Sequence, residues 1–278
     1  MNKAILLAAG AVVALGSAPA FAQDADPDYF NGVYVSGAVG LDAPASGGDG
    51  LVFDTDRDGA FDNNVRTVTG ANAFPGFCDG IALGATIAEG CADDDEDIGY
   101  AVRIGVDRRL GGGPIVGGLL VEGSKSDATE FTNGFSSTPA SYTVARQLDY
   151  AISGRGRLGI SPGDGRGLFY VTGGISYGNI DRDFITTNGV NSFTIQGDDD
   201  VWGAQLGGGA ELMVTRNISL GLEYLYSTYD DDDSSVAVGP GTAGATNPFL
   251  LVSGGTDLRS SSTDFDIHSF RATLGFHF

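Results

Sequence analysis

The densest run of side chains able to do chemistry is Asp54-Thr55-Asp56-Arg57-Asp58-Gly59-Ala60-Phe61-Asp62. Carboxylates at the first, third, fifth and ninth places, with Gly at the sixth, make the first three-quarters of a loop that wraps a hard cation. Oxygens on alternate residues converge on the ion and the glycine permits the sharp turn. Asp54, Asp56, Asp58 and Asp62 are therefore the candidate ligands for Ca²⁺, with Phe61 as an apolar anchor. The twelfth place holds Val65 rather than Glu and no helical pattern flanks the loop, so an EF-hand pair is excluded. A plain acidic turn is the competing reading, and a site of this kind falls toward affinities of ~10⁻⁴–10⁻³ M.

The other reactive side chains are few. Cys78 and Cys91 are the only two cysteines. With no His nearby they make a poor zinc site, and in an exported chain the expectation is a local disulfide. The histidines are His268 and His277 alone. His268 and Ser269 are adjacent in an alternating segment, so they point to opposite faces and cannot act as base and nucleophile. His277 has no evident nucleophile beside it. No phosphate loop, metal-hydrolase motif or redox cysteine pair is present, and a non-enzymatic chain is expected.

A larger set of charges sits inside apolar, alternating segments: Arg103, Asp107, Glu122, Arg155, Arg157, Glu211, Glu223 and Arg271. Eight segments alternate with period two, as strands with one apolar and one polar face do. They run from about 30 to 41, 100 to 110, 115 to 125, 147 to 160, 168 to 179, 201 to 214, 218 to 226 and 265 to 278. The last carries Phe270, Ala272, Leu274, Phe276 and Phe278 on one face, with Ser269, Arg271, Thr273, Gly275 and His277 on the other. Each reaches the ~9–11 residues that a tilted strand needs to cross a bilayer. All eight charges fall on the polar face. An Arg turned to lipid at the bilayer midplane costs ~2–4 kcal/mol, so the polar faces must point inward, into a lumen. There the balanced signs read as an internal ion-pair network or, alternatively, as the lining of a narrow ion path.

The connections alternate between short and long. Gly111-Gly112-Gly113-Pro114, Ser161-Pro162-Gly163-Asp164-Gly165-Arg166 and Thr215-Arg216-Asn217 are turns. The segments at about 43–97, 127–146, 180–200 and 228–264 are long, and three of them carry acidic runs: Asp93-Asp94-Asp95-Glu96-Asp97, Asp198-Asp199-Asp200 and Asp230-Asp231-Asp232-Asp233. These runs read as a solvated rim, with diffuse divalent-cation binding as the alternative. A barrel with short turns at one end and long loops at the other has this rhythm.

Hairpin rhythm, short–long alternation, the aromatic final strand and the leader below together resemble the small outer-membrane β-barrels of the OmpA-like and opacity type. The resemblance implies an all-β fold: an eight-stranded antiparallel transmembrane barrel over residues 29–278 with long extracellular loops. Ten strands remain an alternative. It also implies the outer membrane of a Gram-negative bacterium, contact with outer-membrane lipid, and recognition of the C-terminal strand by the barrel-insertion machinery. Function is mixed across that group. A structural or surface-interaction role leads, a small porin is the alternative, and a lipid-modifying enzyme ranks last.

Residues 1–22 read as a secretory signal peptide. Lys3 opens it, an apolar stretch from Ala4 to Leu15 follows, and Ala20-Phe21-Ala22 forms a small-x-small cleavage site. The chain carries 15 Lys and Arg against 36 Asp and Glu, a net charge of −21, which repels nucleic acid. Its 45 glycines with abundant aromatic residues suit an all-β chain rather than a disordered one.

Overall fold

The computed structural model describes residues 29–45 and 50–278. The signal-peptide expectation for 1–22 lies outside them. Eight strands form a closed ring: β1 Gly32–Pro44, β2 Asp97–Arg109, β3 Ile115–Ser126, β4 Ala140–Ile160, β5 Gly167–Thr186, β6 Asp200–Met213, β7 Ile218–Asp230 and β8 Asp264–His277. Each pairs antiparallel with its neighbours in sequence. The ring closes where β8 pairs with β1, from Tyr34 opposite His277 to Pro44 opposite Ile267, and the Phe278 N–H donates to the Val33 carbonyl at 3.0 Å.

The period-two pattern explains the shape. The outer face of the ring is an apolar belt that includes Leu119, Leu222, Trp202 and Phe270, the last two 62% exposed. Such a surface is stable only against lipid, so the chain crosses a membrane by strands. The inner face holds the polar partners of the same strands, buried. At the turn end, Gly111 and Gly112 take φ values of 64° and 68°, where a side chain would clash, and so close β2 onto β3 tightly.

β4 and β5 are longer than the sequence pattern predicts, at 21 and 20 residues. They continue roughly 20 Å past the ring as a hairpin. A register shift between Asn179 and Ile180 breaks the alternation at the point where they leave the ring, which hides the continuation from a period-two reading. Thr129–Ser136 pairs with the outer half of β4, and Gly76–Asp79 pairs with that strand in turn. A second sheet stacks Ser192–Gln196, Ser235–Gly239, Thr256–Ser260 and Leu51–Asp54 in that order.

The two sheets bury a common apolar core that includes Phe53, Phe74, Tyr142, Val238, Phe249 and Leu258. Each large side chain so buried contributes ~1.5–3 kcal/mol. The four segments expected as long loops therefore form one folded cap. Every loop supplies only a few of its apolar residues, so no single segment displays the pattern of a core.

Candidate functional site

The inward alternation on six strands brings all eight of the charges singled out in the sequence into the lumen, where every one is buried. Glu122 is the hub. It accepts from Arg103 at 2.8 Å, Arg155 at 2.5 Å and Arg271 at 3.0 Å. Glu223 takes Arg103 at 2.9 Å and Arg155 at 3.4 Å, and also accepts from the Tyr170 hydroxyl at 2.8 Å. Nearer the turn end, Arg157 grips Asp107 through two nitrogens and Glu211 at 3.0 Å. The Arg157 guanidinium also lies over the rings of Tyr34 at 4.5 Å and Tyr170 at 5.3 Å. Gly105 makes room for this stack, since a Cβ there would fall 2.4 Å from the Tyr34 ring.

Asp42 joins the network unannounced by the sequence. It is fully buried, with Arg271 at 3.7 Å as its ionic partner. It sits at the outer end of β1, where the pattern reads as the start of a loop, and its only signal is its even spacing from the inward-facing Ser36 and Ala38.

A second network lies beyond the first. Arg146 pairs with Glu130 at 2.7 Å and Asp231 at 3.2 Å, while Arg182 pairs with Asp231 at 2.5 Å and Asp199 at 2.8 Å. These residues fall in segments read as loops. The expectation that the acidic runs form a solvated rim is accordingly corrected in part. Asp231 is buried between two guanidinium groups, and Asp94 accepts the backbone N–H of Phe131 at 2.8 Å.

Apolar layers separate and end the networks. Along β4 the order is Arg155, Ala151, Leu148, Arg146, and along β7 and just past its end it is Glu223, Leu225, Tyr229, Asp231. Leu148, Ala151, Ile180, Val201, Tyr229, Phe265 and Ile267 pack together between the two charge layers. Phe30, Val116, Leu168, Tyr170 and Met213 pack at the turn end.

His277 corrects another expectation, because a hydroxyl does accompany it. Ser219 Oγ and Glu211 Oε1 both lie 3.0 Å from its Nε2. A relay places the hydroxyl and the carboxylate on opposite ring nitrogens, so sharing one nitrogen makes this a structural bond and not a nucleophile–base pair. His268 bonds the Tyr224 hydroxyl through Nδ1 at 2.7 Å, while Ser269, on the opposite face, bonds Arg271 inside.

In the cap, Cys78 and Cys91 form a disulfide. Ligand oxygens of Asp54, Asp56 and Asp58 lie within 4.8 Å of one another. Asp62 is not in that group; its Oδ1 accepts from the Asn63 amide at 3.0 Å. Phe61 lies under the Arg259 guanidinium, 4.3 Å from its ring centroid. Burial alone would raise Asp54, but the backbone N–H groups of Gly59 (2.8 Å) and Arg57 (2.6 Å) outweigh it and hold the carboxyl below its ordinary range. Asp56 is raised, first by desolvation and then by its hydrogen bond to Asp54.

A closed eight-stranded antiparallel ring, apolar outside and charged inside, is the fold of a small outer-membrane β-barrel. No protein-family model matches the chain. No curated protein matches it. Among solved structures it resembles the outer membrane protein OprG from Pseudomonas aeruginosa, with a TM-score of 0.50 and 12% identity over 89% of this chain and 97% of that one. It overlaps more loosely with Neisserial surface protein A (NspA), at a TM-score of 0.36 and 10% identity over 89% and 98%. The outer membrane protease OmpT from Escherichia coli gives 0.39 and 8% over 90% and 98%. These identities speak for the fold alone.

Proposed function

We propose that the protein is a non-conducting barrel of the Gram-negative outer membrane whose task is to hold a folded cap outside the cell, in a structural or surface-interaction role. The observation that carries this reading is the stacking in the lumen: two paired charge layers with an apolar layer between them and another at the turn end. Ions avoid both the apolar layers, where they would lose water, and guanidinium groups already committed to carboxylates. Insertion through β8 by the barrel-assembly machinery belongs to the same reading.

A small porin is the alternative. It is favoured by the Asp42 carboxylate and the Ser153 hydroxyl, both buried in the lumen without a protein hydrogen-bond partner. Groups so placed call for water. Planar-bilayer recording of the refolded protein separates the readings. A silent membrane with a folded, heat-modifiable band is the expected result. Discrete steps whose size or ion selectivity changes in Arg155→Ala or Arg157→Ala would establish the porin.

On the proposed reading, Asp54, Asp56 and Asp58 bind Ca²⁺ weakly at the cap surface, with Asp54 pre-oriented by its backbone donors. Catalysis has no place in it, since the two histidines and the lumen carboxylates Glu122, Glu211 and Glu223 are engaged in fixed bonds.

A further inference from the structure

The outermost part of the cap contains a cleft of about 240 Å³ where three tips meet: the turn from Ser136 to Ala140, the loop from Thr187 to Val190, and the helical turn Pro248–Leu250. From this cleft we infer a binding site for a neutral sugar unit, such as the end of a glycan chain. The inference rests on the surface-interaction reading and supplies its ligand class.

Charge argues first. None of the fifteen residues lining the cleft is Asp, Glu, Lys or Arg, in a chain where 18% of residues are charged. A phosphate or sulfate ligand needs cationic or convergent N–H donors, and a free amino acid or peptide end needs a counter-charge. The cleft supplies no charged side chain for either.

Chemistry argues second. Phe74, Tyr142 and Phe249, core rings with centroids 5.1–5.6 Å apart, underlie the cleft and show it only their edges. Against them stand amides rather than a continuous apolar wall, which disfavours an acyl chain. The Asn188 amide donates to the Tyr142 hydroxyl at 3.0 Å and to Asn191 Oδ1 at 3.0 Å, and the Asn247 amide donates to the same Asn191 oxygen at 2.9 Å. Asn247 Oδ1 in turn accepts the N–H of Phe249 at 3.1 Å. The amides are thus locked before any ligand arrives, which lowers the ordering cost of binding. Asn188 is fully committed to this lattice. The groups left to meet a ligand are the second N–H of the Asn247 amide and the hydroxyls of Ser136 and Thr138. Beside apolar carbon they match a molecule with an apolar ring face and a rim of hydroxyls.

Size argues third. The cleft falls just under the ~300–1,000 Å³ typical of drug-sized sites, which suits one ring and not an extended chain.

Saturation-transfer NMR tests the inference on the refolded mature protein, in a detergent without a sugar headgroup. The probes are the methyl glycosides of galactose, glucose, N-acetylglucosamine and, as the charged control, glucuronic acid. Transfer to at least one neutral glycoside and none to the glucuronide is expected. Two variants locate the site. Gly189→Trp places a ring at the cleft, and a Cβ there meets nothing within 4 Å, so the backbone tolerates it. Asn247→Asp keeps the oxygen that caps Phe249 but puts a negative charge in the cleft. Each should weaken binding at least tenfold while retaining the heat-modifiable band.

Absence of transfer to all three neutral probes, transfer to the glucuronide as strong as to glucose, or undiminished binding in both folded variants would each overturn the assignment. Bilayer conductance, which decides the parent reading, does not involve the cleft, so the two failures are distinguishable.

Discussion

Glu122 on β3 and Arg155 on β4 meet at 2.5 Å with both side chains fully removed from solvent, and two further arginines, Arg103 and Arg271, converge on the same carboxylate. One anion on β3 thus holds three cations drawn from three other strands, β2, β4 and β8. Removing one partner of a buried pair leaves the other charge uncompensated, at ~3–5 kcal/mol. Glu122→Gln is expected to lower the unfolding free energy of the barrel by at least that range, read from urea unfolding in lipid vesicles. Replacement of Ser124, on the same strand, by Ala serves as the comparison. A loss under about 1 kcal/mol would show that Glu122 is not the hub.

Asp231 ties the cap to the ring, because its two guanidinium partners stand on the protruding halves of β4 and β5. Asp231→Asn should loosen the cap and leave the barrel intact. Limited proteolysis should then cut within residues 187–199 and spare a heat-modifiable core. Resistance equal to that of the native chain would count against the clasp.

The Cys78–Cys91 bond closes a short loop, for which the chain-entropy account gives ~3 kcal/mol. Reduction, or the double Ser variant, should increase amide exchange between residues 79 and 90 and at the paired Thr132–Asn133 strand, with β1 and β8 unaffected. Unchanged exchange would mean that the sheet pairing alone holds this segment.

The carboxyl of Asp54 titrates below its ordinary range, so its share of cap stability is complete above the unfolded pKa of ~3.9 and is lost as pH falls through the lower folded value. The amides of Arg57, Asp58 and Gly59 should stay protected from pH 7 down to about 4 and lose protection below it. In Asp54→Asn that acid step should be absent. A midpoint well above pH 4 would contradict the assignment.

Titration with CaCl₂ should shift the amide resonances of 54–62 with a Kd in the ~10⁻⁴–10⁻³ M range, and Asp56→Asn with Asp58→Asn should abolish the shift. Spectra unmoved at about 10 mM would leave an acidic turn and no site.

The ring was legible in the sequence because lipid and lumen impose opposite demands on alternate residues. That constraint placed Arg103, Arg157 and Glu211 inward before any coordinates. Beyond the membrane no such rule operates. Arg146 and Arg182 look like ordinary loop charges, since what marks them is Asp231, a residue from another loop. Tyr142 and Phe249 are equally silent, being 107 positions apart and joined only through the cap core. The Asp54 loop was readable as a motif, while the position of the Asp62 carboxylate, apart from the cluster and beside the Asn63 amide, is something spacing cannot reveal.

The cap is woven from all four long segments, and on the proposed reading, which puts the cap outside the cell, this bears on how the protein is perceived there. A cap in which Ser192–Gln196, Ser235–Gly239, Thr256–Ser260 and Leu51–Asp54 pair in one sheet, with Thr129–Ser136 in the other, presents epitopes that are discontinuous in the chain. A peptide copied from any one segment lacks its neighbours and its register. Antibodies raised against such peptides should therefore bind the unfolded protein better than intact cells. A substitution in one segment should likewise alter recognition at sites contributed by the other three.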